Sequence, residues 1–228
     1  MRTYPLLALA CLAAASTSGA QHAPDITPYL MSDRAAEIAM ARTAAPPSVS
    51  AKASVLVLTR NGFVEAEHGT NGFTCAVMRS FAASPGDPKF WDPTIRGPHC
   101  FNPPAVKTIL PALLARMSQA LAGASQDELR ATEKHAYASH KFPPPAPGAM
   151  VYMLSPLQHL SASDPHWMPH LMLYYDRSLT ASTFGAGDSS APVIDANGDT
   201  TDPIQVIFIP VRTWSDGTTA MHMASKSK

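Results

Sequence analysis

Cysteine, charge and long apolar runs are all scarce in this chain. Cysteine occurs three times in 228 residues, at positions 11, 75 and 100. That leaves no third or fourth sulfur for a structural zinc site once the N-terminal Cys11 is set aside. Charged side chains make up 15% of the residues, 17 basic against 17 acidic, with no run of one sign. A nucleic-acid partner is therefore not expected, because phosphate neutralisation needs a basic surface. No stretch reaches the ~20 consecutive apolar residues of a membrane-spanning helix. The G-x-S-x-G elbow, the H-E-x-x-H pair and Gly-rich phosphate loops are also missing, so no motif marks a hydrolase or a nucleotide site.

Proline is abundant, at 22 residues, about twice the usual ~5%. It implies long, ordered or semi-rigid connections. The N-terminus has the parts of an export signal. Arg2 is a short positive region, Leu6 to Ala15 is apolar, and Ser18-Gly19-Ala20 offers small residues for cleavage before Gln21. Residues 1–20 are thus expected to be a signal peptide, and the mature protein to be periplasmic or secreted, with no transmembrane segment. A membrane-anchoring N-terminal helix and a lipid-modified Cys11, preceded by Ala8-Leu9-Ala10, are the alternatives. In an oxidising compartment the two remaining cysteines, Cys75 and Cys100, make one disulfide the default. Two buried thiols, or a reactive Cys100 beside His99, are the other outcomes.

Beyond a loose N-terminus at 21–31, Ser32 is the expected N-cap, with Asp33 in the first turn, of a helix reaching Ala45, and Pro46-Pro47 ends it. The period then shortens. Val55–Leu58, the Asn61-Gly62 turn, Phe63–Glu67, the 69–72 turn and Phe73–Arg79 suggest a three-stranded antiparallel meander. Residues 81–104 show no period, and such a loop is expected to be functional or pinned. Pro103 starts a helix whose stripe runs Val106, Ile109, Leu110, Leu113, Leu114, Met117, Leu121, with a kink at Pro111 and a stop at Gly123. Ser125 and Glu128 form a capping box for the next helix. Strands are expected at Met150–Leu154, His170–Tyr175 and Ile204–Val211. The last, apolar on both faces, should be central, with the Val106–Leu121 stripe packed on it and Val206, Phe208, Leu110 and Leu114 buried. The fold class is α+β: a mostly antiparallel sheet of about six strands covered by two to three helices. One domain spans 32–218, followed by a flexible tail at 219–228.

Glu37–Arg42, Ala45–Ser50, Asn71–Cys75, Arg96–Pro98 and Trp167–Met172 together resemble a group of exported bacterial proteins of unknown function. The resemblance covers most of the mature chain. It implies export and one domain, and carries no activity.

Side-chain chemistry concentrates in His166-Trp167-Met168-Pro169-His170-Leu171-Met172. In extended conformation His166, Met168, His170 and Met172 share one face and Trp167 the other. Imidazole with thioether suits copper, above all Cu(I), and two histidines can begin a zinc or iron site, so His166 and His170 are candidate ligands for a transition metal. The bland alternative is a core strand whose histidines bond the backbone. Met221-His222-Met223 repeats the composition in the tail. Asp195-Ala196-Asn197-Gly198-Asp199 begins like a calcium loop, but Thr200 and Val206 stand where Gly and Glu are needed. Ser155, with His159 nearby, is a serine without an evident base. Three functional classes follow: a non-catalytic domain binding a small molecule or an envelope protein, a metal-binding protein or metalloenzyme centred on His166 and His170, and a hydrolase with a dispersed site.

Overall fold

The computed structural model describes residues 24–160, 167–186, 192–196 and 204–220. Asp33 accepts hydrogen bonds from the backbone N–H groups of Ala35 and Ala36 and opens helix α1, Arg34–Arg42. A single turn of helix, α2, follows at Pro47–Ser50. Pro103 begins α3, Pro103–Thr108, and α4 continues over Leu110–Leu121. The break at Ile109 is the kink expected from Pro111. Its ring crowds the carbonyl one turn earlier, so Pro111 is accommodated in the first turn of a new helix. The Ser125–Glu128 capping box opens α5, Gln126–Ala138.

The strands are β1 (Ser54–Thr59), β2 (Gly62–Glu67), β3 (Thr74–Met78), β4 (Gly97–Phe101), β5 (Met150–Met153), β6 (His170–Asp176), β7 (Ile194–Asp195) and β8 (Ile204–Pro210). They form one sheet in the order β2-β1-β3-β4-β5-β6-β8-β7. The α+β class and the mostly antiparallel sheet are as expected, with eight strands rather than six and five α-helices among the described residues. The additional strands are β4 and the two-residue β7. β4 hides in the sequence behind Gly97 and Pro98. Pro98 is tolerated because β4 pairs with β5 only at Cys100 and Phe101, so the proline sits where the ladder exists on the β3 side alone.

The antiparallel meander is corrected. β1 and β2 form the expected hairpin, but β3 pairs with β1, and in parallel. The chain leaves β2, rounds the start of β1 and descends on its other side. Lys52 O accepts from Thr70 N at 2.8 Å, and Phe73 O from Ser54 N at 2.9 Å. Gly69 makes the passage possible, since a Cβ there would lie 2.1 Å from Ser54 N.

Strand alternation gives the sheet two dissimilar faces. Val55, Cys75, Val77 and Cys100 face the alanines Ala41, Ala44 and Ala45 at and beyond the end of α1. Cys75 and Cys100 are direct cross-strand partners with Cα atoms 4.0 Å apart, and they form a disulfide. Cys100 thus belongs to β4, not to a loop. The opposite face carries Ala76, Met78, Phe101, Val151, Met153 and Met172 with the apolar side chains of α3, α4 and α5. A buried ion pair, Arg79–Glu37 at 2.7 Å, closes the sheet against α1. Residues 27–29, in the stretch expected to be loose, form a 3-10 turn, with Tyr29 buried and its hydroxyl donating to Trp91 O.

β8 is not central: it lies between β6 and the short β7 at one end of the sheet. Of its residues only Ile207 is fully buried, while Val206 and Phe208 are half-buried, as is Leu114. Leu110 is buried as expected, but α3 packs on β4 and β5 and α4 on β2, not on β8.

Candidate functional site

Where the helices leave the second face uncovered, the sheet floors a cavity of about 1050 Å³. The floor is read off the pleat. β3 supplies Met78, β4 Gly97 and His99, β5 Met153, β6 His170, Met172 and Tyr174, and β8 Ile204, Val206 and Phe208. One wall is the start of α4, with Ile109, Ala112, Leu113 and Arg116. The apolar character of both faces of β8 now has a cause: Ile207 is core, and its neighbours Val206 and Phe208 are cavity floor.

A second wall is the Pro-rich segment 82–89. This is the stretch without a period, and two arginines hold it. Arg116, paired with Glu133 at 2.6 Å in a buried site, donates to Ala82 O and Ala83 O at 3.0 and 2.9 Å. Arg130 donates to Pro85 O at 2.8 Å. Farther on, buried Phe90 and the Arg96–His159 bridge anchor the segment. Helix arginines thus pin the loop along its length, and the Cys75–Cys100 bond ties its far end to β3. Ser80, at its base, lines the cavity and has a buried hydroxyl with no hydrogen-bond partner among the described residues.

Trp167, His170 and Phe208 form an aromatic cluster. Ring centroids are 4.6 Å apart for Trp167–His170, 5.2 Å for Trp167–Phe208 and 4.8 Å for His170–Phe208. The expected separation of Trp167 from His170 is corrected. β6 begins only at His170, so strict alternation does not extend back to Trp167, and both rings reach the same cavity. The Gln158 amide donates to Trp167 O, and Pro169 O accepts from Val211 N, which fixes the approach to β6. Met168 points outward and is 40% exposed.

The two histidines share one device. His99 Nδ1 lies 2.7 Å from Gly97 O and His170 Nδ1 2.9 Å from Met168 O. Each carbonyl is an acceptor, so Nδ1 carries the hydrogen and Nε2 keeps a lone pair. Gly97 makes room, since a Cβ there would come within 3.3 Å of the His99 ring. Burial pushes both imidazoles down to about 4, and a charge on His170 would further disfavour one on His99. The two imidazoles are therefore neutral lone-pair donors at neutral pH, while Arg79, Asp87, Lys89, Arg116, Arg130 and Glu133 place charge elsewhere on the lining.

Of the sequence candidates, His170 is in the cavity, and His166, Met221, His222 and Met223 lie outside the described residues. Of the calcium-like stretch, Asp195 belongs to β7, and Asn197 and Asp199 lie outside the described residues. Ser155 is fully buried, with its Oγ 2.6 Å from Thr43 Oγ1, while the His159 backbone pairs with Arg96. His99, Met153 and Met78 were not singled out by sequence. Their signal was strand alternation in β3 to β5, obscured in β4 by Gly97 and Pro98. No protein-family model, curated protein or solved structure matches this chain.

Proposed function

We propose that the protein is an exported, non-catalytic domain that binds a small, largely apolar ligand in the cavity over β3–β8. The single observation that carries this is the cavity itself. Its volume is near the upper end of the ~300–1,000 Å³ typical of small-molecule sites, and its lining joins aromatic and thioether surface to a few fixed polar atoms. The Trp167–His170–Phe208 cluster offers ring faces and edges, and the two Nε2 atoms offer acceptors to a ligand hydroxyl or amide. The disulfide is compatible with an oxidising compartment. No helix among the described residues is long and apolar enough to cross a membrane.

Titration with the neutral apolar dye N-phenyl-1-naphthylamine tests the proposal. A saturable, blue-shifted signal is expected from the native protein, and Val206→Trp, which fills the floor, should abolish it while keeping a cooperative melt. A signal that never saturates, or one that a folded Val206→Trp protein retains, overturns the proposal.

A further inference from the structure

We propose that His99, Met153 and His170 together bind Cu(I) on the floor of this cavity, an inference that rests on the cavity being a binding site. The three residues stand in one row across neighbouring strands. Met153 is the register partner of His170. Extending the β4–β5 ladder by one step from Cys100–Tyr152 places His99 opposite Met153 on its other side. All three side chains line the cavity. Two strand spacings separate the histidine backbones by roughly 10 Å, with the Met153 side chain between them.

Strand direction sets how the rings lie. β4 and β6 are both antiparallel to β5, so they run the same way. Each ring is tied to the carbonyl two residues back along the chain, Gly97 within β4 and Met168 just before β6. Both therefore lean toward the same end of the sheet and stay abreast, each with Nε2 unprotonated. That is the tautomer a metal requires, and the Nδ1–H···O=C bond is the usual outer contact that orients a ligating imidazole.

The donor types select the ion. Two neutral imidazoles and a thioether are a soft set, and Met78 and Met172 add further sulfur on the same floor. Among the described residues no group of three or more His, Cys, Asp or Glu is placed to hold a metal, so a site here draws on the thioethers as well as the imidazoles. The Born cost of burial grows with the square of the charge, which favours a monovalent over a divalent ion beside these neutral donors.

Anaerobic titration of the protein with Cu(I) in the presence of bicinchoninate tests this, with X-ray absorption at the copper edge. One equivalent should leave the chelator, and the absorption should show nitrogen and sulfur in the same shell. His99→Asn/His170→Asn should abolish uptake. Met153→Leu, which keeps the volume and removes only the sulfur, should weaken binding about tenfold or more. If the histidine double variant does not fold, Met153→Leu decides alone. No transfer from the chelator, full affinity in Met153→Leu, or loss in His166→Ala with none in His99→Asn each overturns the inference. Dye binding is measured in parallel. A saturable dye signal without copper uptake sinks the copper site and leaves the cavity proposal standing, whereas loss of both sinks both.

Discussion

A buried imidazole that stays neutral makes stability depend on pH in a definite direction. His170 is 1% exposed, and its pKa is pushed down to about 4 from the ordinary 6.5. The unfolded chain therefore binds the proton more readily. The stabilisation is fully present above pH 6.5, is lost as pH falls toward 4, and levels off below that. A shift of this size corresponds to ~3 kcal/mol. Urea midpoints measured between pH 7 and pH 4 should fall, and His170→Asn, whose amide can keep the bond to Met168 O, should lessen the fall, the remainder belonging to His99, which burial holds equally low. An unchanged profile would mean that His170 is not the titrating group. The adjacent pair in β8 makes a second contrast. Ile207→Ala removes a fully buried side chain and should cost ~3 kcal/mol, whereas half-buried Phe208→Ala should cost only ~2 kcal/mol. Equal losses in denaturant melts would contradict the assignment of Phe208 to the cavity floor. At this scale the sequence pointed to His170 but not to His99, whose strand begins with two residues that usually break strands.

Among the elements, those with local causes were legible. The α5 capping box, the Pro103 start, the Pro111 break and the Asn61-Gly62 hairpin are all decided within a few residues of chain. The path from β2 to β3 was not, because antiparallel and parallel neighbours of β1 use the same apolar alternation. Which one forms depends on whether the chain can round the end of β1. Gly69 decides that by contact rather than by backbone angle. Gly69→Ala should therefore destabilise strongly, ~3 kcal/mol or more, because the new Cβ meets backbone that has little room to move. Gly62→Ala has open space and only its positive φ of 101° against it, and should cost ~1 kcal/mol. Thermal melts of the two variants give the comparison, and a reversed order would rule out the tight passage. β8 misled for a related reason: an apolar strand face reads alike whether it lines a core or a cavity.

Across the whole molecule, the disulfide links the two strands at the centre of the first core, 25 residues apart in sequence. Restricting a loop of that length removes unfolded-state entropy equivalent to ~3 kcal/mol. The Cys75→Ala/Cys100→Ala variant should melt at lower denaturant by about that amount while retaining its far-ultraviolet circular dichroism. A variant with wild-type stability would show the crosslink to be thermodynamically idle. The sequence anticipated the α+β class and the bond, while the division of the sheet into a covered half and an open half depends on contacts made far along the chain.

That strand order also bears on how the protein comes into being. From β3 to β6 each strand pairs with the next one made, and the exceptions are only at the two ends of the sheet. Most of the sheet can be laid down by short-range closures, which favours rapid folding for a β-rich chain. The helix-covered half has all its strands by residue 153, but the floor of the cavity is completed only when residues 204–210 arrive. A chain interrupted between those points carries both cysteines of the crosslinked core and an unfinished cavity floor, so the cavity is the last part of the sheet to be completed during synthesis.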